Sequence, residues 1–194
     1  MPRLIDHAAR DREIGEAAWR VLTREGLAGL SVRKVAEAAG LATASLRRAF
    51  PTQAALRAFC LDRIQTAVGD RIVAHTGEGL PLARAVLREV LPLDETRRAE
   101  MIVQMQLGSL ALTDPSLQES VQKLGDGVRR VCELALGELT RSSAHVMADA
   151  DAEAAHLHAL LDGLALQLLW SRDADAADRA CAVLDRHLAT LATA

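Results

Sequence analysis

"SVRKVAEAAGLATASLRRAFPT", residues 31–52, decides how the fold is read. Ser31 stands in an N-cap position, and Val32, Val35 and Ala36 fall on one face of a short helix. Gly40 follows where a left-handed C-cap is needed, a conformation that glycine takes without a Cβ penalty. After Leu41 the run "ATASLRRAF" turns Leu46, Ala49 and Phe50 inward and Thr43, Ala44, Arg47 and Arg48 outward, until Pro51 stops the helix. Two short helices joined by three or four residues, with the small Ala36 at their crossing and Leu41 as an apolar plug, make a helix-turn-helix. In that geometry Arg47 and Arg48 reach bases or phosphates in a major groove, while Arg33 and Lys34 meet the flanking backbone. A generic helical hairpin with solvated arginines fits the same spacing.

Working outward, Ile14, Ala17, Ala18, Val21 and Leu22 predict a helix over residues 7–25 that Gly26 ends. Thr52 caps a fourth helix carrying Leu56, Phe59, Cys60, Ile64, Val68 and Ile72, and "TGEGLP" (76–81) breaks the chain. A short amphipathic helix over 82–91 is stopped by Pro92, and the one over 94–112 by Asp114-Pro115. A long helix runs from Ser116 to about Leu139, "RSSAHVMADAD" with His145 is a polar connector, and two helices over 152–172 and 175–191 complete the chain. No β-alternation of any length appears. The expected fold is therefore all-α with about nine helices. A three-helix helix-turn-helix domain is expected over residues 1–51, and a second helical domain over residues 52–194.

Composition agrees with a packed protein. The 194 residues are 50% apolar and 25% charged with only five prolines, which excludes disordered and fibrous classes. Apolar runs such as "LALQLLW" are too short to span a membrane and the first residues lack an apolar signal region, so a cytoplasmic protein is expected. Cys60, Cys132 and Cys181 are odd in number and set in apolar helical patterns, reading as buried thiols. Charge is uneven: residues 1–63 hold eleven Lys and Arg against seven Asp and Glu, and the remainder twelve against nineteen. That asymmetry suggests a nucleic-acid-binding head on an acidic body.

The stretch "REIGEAAWRVLTREGLAGLSVRKVAEAAGLATASLRRAFPTQAAL", residues 12–56, resembles the N-terminal DNA-binding domain of TetR-family transcriptional regulators. Ile14, Ala18, Gly26, Val32, "VAEAAGL" at 35–41, Leu46, Phe50 and Leu56 all fall in register. The resemblance implies that the third helix recognises an operator through Thr43, Ala44, Ser45, Arg47 and Arg48. It also implies phosphate contacts through Ser31 and Arg33, and the amides at the start of the fourth helix, with Thr52 and Gln53, offer a helix N-terminus to a phosphate. Family members often carry an aromatic where Arg47 stands, a histidine at Ala49 and a lysine at Gln53; here the Arg47 guanidinium supplies a bidentate, charged alternative. Arg3, Arg10 and Arg12 form either a basic arm or a frayed terminus with solvated charges.

The C-terminal helices carry the oligomerisation reading. Between Ala159 and Trp170 only Asp162 and Gln167 are strongly polar, so that helix needs cover on two sides. Its own body gives one; a partner gives the other, through Leu157, Leu160, Leu161, Leu164, Leu168, Leu184 and Leu188, with Gly163 permitting close approach. "LHALLDGLALQLLW" resembles the dimerising helix of BetI-like members of the family. The family resemblance implies a small-molecule effector in the body, for which Met101, Gln104, Met105, Leu124, Val128, His158, Leu161 and Trp170 are the candidate lining. Choline is disfavoured, because a quaternary ammonium cage needs aromatics and the chain has two Trp, two Phe and no Tyr; a largely apolar effector fits better. His156 and His158 flank Leu157 and point to different faces, so no metal site and no cofactor is expected. The resemblance therefore implies a homodimeric repressor that binds an inverted-repeat duplex DNA operator and is released by its effector. Its rivals are a helical enzyme or an interaction protein with the same fold; no phosphate loop or nucleophile signature favours the former.

Overall fold

The computed structural model describes residues 7–142 and 149–193. Among them lie nine α-helices and no strand: α1 (His7–Gly29), α2 (Val32–Ala38), α3 (Thr43–Ala49), α4 (Gln53–Ala74), α5 (Gly79–Arg88), α6 (Glu95–Ala111), α7 (Gln118–Ser142), α8 (Ala150–Trp170) and α9 (Ala176–Thr193), with a 3₁₀ turn at Pro115–Leu117. The all-α expectation holds. Arg3, His145 and most of the polar connector lie outside the described residues.

Local chemistry sets the element ends. Gly26 has φ 67° and interrupts α1, and Gly40 has φ 66° after α2; both sit in the left-handed region. Ser31 accepts from the Lys34 amide at 3.3 Å, Thr52 from the Ala55 amide at 3.0 Å and Asp149 from the Ala152 amide at 3.0 Å, capping α2, α4 and α8. Helix α5 begins at Gly79, three residues earlier than the sequence suggests. Pro81 then lies in its first turn, where the missing amide hydrogen costs nothing.

The chain forms two compact units, residues 1–64 with 103–121, and residues 65–102 with 122–194. In the first, α2 packs on α1 and α3 on α2. Ile14, Val35, Ala36, Leu46 and Leu56 are fully enclosed, and Phe50 packs against Phe59 with ring centroids 4.9 Å apart and the rings tilted by 55°. Ala49, expected inside, is exposed: Leu46 and Phe50 already fill the inward face of so short a helix.

In the second unit α9 packs against α5 and α8. Leu87, Leu91, Leu139, Leu157, Leu161, Leu184 and Leu188 centre one apolar core. Arg84 Nε and Arg88 Nη2 grip the two Asp185 oxygens at 2.7 and 2.9 Å, fixing α5 to α9. The Arg98 guanidinium donates to the Leu168 and Leu169 carbonyls at 2.9 and 2.6 Å, closing the C-terminus of α8. Arg71 binds Glu89 and Glu100, each at 2.8 Å, and His75 Nε2 meets the other Glu89 oxygen at 2.9 Å. Burial opposes ionisation of Glu89, but His75, Arg71 and Arg97 outweigh it and hold the carboxyl below its ordinary range.

Candidate nucleic-acid interface

Helix α3 is seven residues long and fully buries Leu46, while Ala44, Arg47, Arg48 and Ala49 are exposed. Arg47 and Arg48 occupy its last turn, both exposed. Neither they nor Arg33, exposed on α2, has a hydrogen-bond or ion-pair partner among the described residues. Three uncommitted guanidiniums on a helix-turn-helix can grip phosphates or the paired acceptors of guanine. The start of α3, capped by Ala42 with no side-chain hydrogen bond, leaves its first amides open. Ala44 is exposed beside it and Thr43 half-buried.

The other expected contacts have internal work. Ser45 Oγ receives a 2.6 Å hydrogen bond from Arg10 Nη2, and Arg10 and Arg12 lie within α1 rather than in a free arm. Ser31 and Thr52 are caps, and Gln53 Nε2 donates to the Leu30 carbonyl at 2.6 Å, tying α4 to the end of α1. Lys34, expected at the DNA backbone, is instead bonded to Glu25. Hydrogen bonds from Lys34 and then Arg24 hold the Glu25 carboxyl below its ordinary range. The cause is local: α2 starts beside the last turns of α1, within reach of residue 25.

The candidate effector residues do not gather in one described cavity. A groove of about 740 Å³ in the first unit is lined by Gly26, Leu27, Arg57, Met105, Gln106 and Leu110 among others, and of the candidates only Met105 reaches it. Gln104 belongs to the same unit, and Met101, Leu124, Val128, His158, Leu161 and Trp170 to the second. Leu161 is a core residue, Met101 and Val128 pack against that core, and Leu124 is half-buried. Trp170 is 75% exposed, and the half-buried His158 lies 3.7 Å from Asp162.

The candidate dimer leucines are placed inside the single chain: Leu157, Leu161, Leu164, Leu168, Leu184 and Leu188 are all buried in it, and Leu160 is half-buried. What α8 leaves outward is a different stripe: Ala152, Ala155, Ala159 and Gly163, exposed, the half-buried Leu166, and Trp170. Sequence reasoning also missed a cluster that the tertiary structure assembles from Glu153, His156 and His187. Its trace in the sequence is the three-residue step from Glu153 to His156; the third member lies on another helix.

Residues 14–58 match the family model described as bacterial regulatory proteins of the tetR family, and residues 81–193 that of the BetI-type transcriptional repressor C-terminal region. The HTH-type transcriptional regulator PksA of Bacillus subtilis (strain 168) is 33% identical over 98% of this chain and 94% of its own length. Among solved structures, a transcriptional regulator from Rhodococcus sp. Rha1 superposes with a TM-score of 0.77 at 27% identity, covering 94% of this chain and 96% of that one. A regulator from Saccharomonospora viridis, solved in complex with choline, gives 0.78 at 22% identity over the same shares.

Proposed function

From the premise that the chain belongs to the TetR family of transcriptional regulators, with a BetI-type C-terminal region, we propose that it is a dimeric repressor that binds an inverted-repeat operator and is released by a small molecule. The observation that carries this reading is the uncommitted, exposed Arg47–Arg48 pair on α3, whose buried side chain is Leu46. Ser31 and Arg33 at the start of α2, Thr43 and Ala44 at the start of α3, and Thr52 and Gln53 at the start of α4 would add helix N-termini that receive phosphates. A two-fold dimer would set two such helices about 34–36 Å apart, matching half-sites one helical turn apart.

Dimerisation through α8 and α9 is supported by the outward stripe of Ala152, Ala155, Ala159, Gly163 and Leu166, which small side chains make suitable for close helix approach. Leu157, Leu161, Leu164 and Leu168 occupy the opposite, buried face of α8. The S. viridis regulator was solved with choline; in this chain Phe50 and Phe59 pack against each other and Trp170 is 75% exposed, which favours a largely apolar effector over a caged quaternary ammonium.

Selection of bound sequences from a random duplex pool, repeated with Arg47→Ala, tests the reading. An inverted repeat that the variant fails to recover supports the dimeric DNA-binding protein. Recovery of no sequence, with no salt-dependent binding to any duplex, sinks it.

A further inference from the structure

Glu153 and His156 lie one turn apart on α8 and project from the same face, and His187 reaches them from α9, which packs alongside. Both imidazoles address one carboxylate oxygen: Glu153 Oε1 is 3.0 Å from His187 Nε2 and 3.5 Å from His156 Nδ1. The rings stand 4.9 Å apart at 60°, and the three donor atoms lie within 4.8 Å of one another. Glu153 Oε1 and His187 Nε2 are sealed from solvent, and neither makes a properly directed hydrogen bond despite their proximity. Buried polar atoms are ordinarily satisfied, and a cation among the three would satisfy both.

We propose that Glu153, His156 and His187 bind one divalent transition-metal ion of the zinc class, with water completing the coordination. Two imidazole nitrogens and one carboxylate oxygen are the donor set such ions take, whereas magnesium and calcium favour all-oxygen shells. Tetrahedral ligation with bonds of about 2.0–2.2 Å places donor atoms about 3.4 Å apart, close to the two distances to Glu153. The third distance closes by rotation of the His156 ring, which is the most exposed of the three. By joining two turns of α8 to α9 the ion would brace the helix pair, a stabilisation that grows with free metal. This proposal does not rest on DNA binding.

The test uses the full-length, tag-free protein stripped with a chelator and titrated with Zn(II), Co(II) and, as a control, Mg(II). One equivalent of Zn(II) or Co(II) is expected to bind, with Zn(II) raising the melting temperature and Mg(II) leaving it unchanged. His156→Ala and Glu153→Gln should each weaken binding by roughly tenfold or more, while the metal-free melting curve of the His156→Ala protein stays that of the wild type. Absence of Zn(II) and Co(II) binding, an equal response to Mg(II), or binding that persists unchanged in both variants would overturn the site.

Discussion

At the scale of single residues, function and stability separate cleanly. Arg47 is exposed and without a partner among the described residues, so its removal should leave the melting curve unchanged. If it reads guanine, Arg47→Ala should weaken binding to the selected operator by about 1–3 kcal/mol, roughly five- to 150-fold, measured by fluorescence anisotropy. If it clamps phosphate instead, the loss should be uniform across sequences, with the salt slope reduced by about one. The thiols differ in the same way: burial pushes Cys60 and Cys132 up to about 12, while Cys181 is half-buried. A disulfide reagent near neutral pH should therefore modify Cys181 first, as peptide mapping of the folded protein can check. These residue roles were partly legible in advance. Arg47 and Arg48 were, because helical periodicity alone turns them outward; the bonds of Lys34 to Glu25 and Ser45 to Arg10 were not, because they join different helices.

At the scale of elements, caps and ion pairs decide how much each joint contributes. Gly40 has φ 66° and a Cβ there would meet nothing within 4 Å, so Gly40→Ala carries backbone strain alone. A loss of about 1–2 kcal/mol, seen as a lower denaturation midpoint, is expected. Acid should loosen the second unit through the cluster around Glu89. A carboxyl held below its ordinary value stabilises the fold fully above the unfolded pKa of about 4.3, and that contribution is lost as pH falls through the lower folded value. Melting temperatures recorded from neutral pH down to strongly acidic pH should fall below about pH 4, and less steeply in Glu89→Gln. The helices themselves were readable from periodicity, glycine and proline. The early start of α5 was not, since Pro81 reads as a breaker until its place in a first turn is seen.

At the scale of the whole molecule, the two faces of α8 predict opposite outcomes. Leu164→Ala, in the core, should cost about 2–5 kcal/mol of stability. Ala159→Glu, on the outward stripe, should leave the monomer folded but shift sedimentation toward a single chain and weaken operator binding in parallel. A folded variant that still sediments as a dimer would place the interface elsewhere. The sequence by itself determined that this is an all-helical protein carrying a helix-turn-helix with two outward arginines, because helix period, capping residues and glycine or proline stops act over a few neighbouring residues. Only the tertiary structure decided which side of the nearly all-apolar α8 is spent on its own core. It likewise decided that residues 103–121 join the N-terminal compact unit, and that Glu153, His156 and His187 meet. Those outcomes depend on contacts between residues far apart in the chain, and a period of 3.6 residues records a face without recording what covers it.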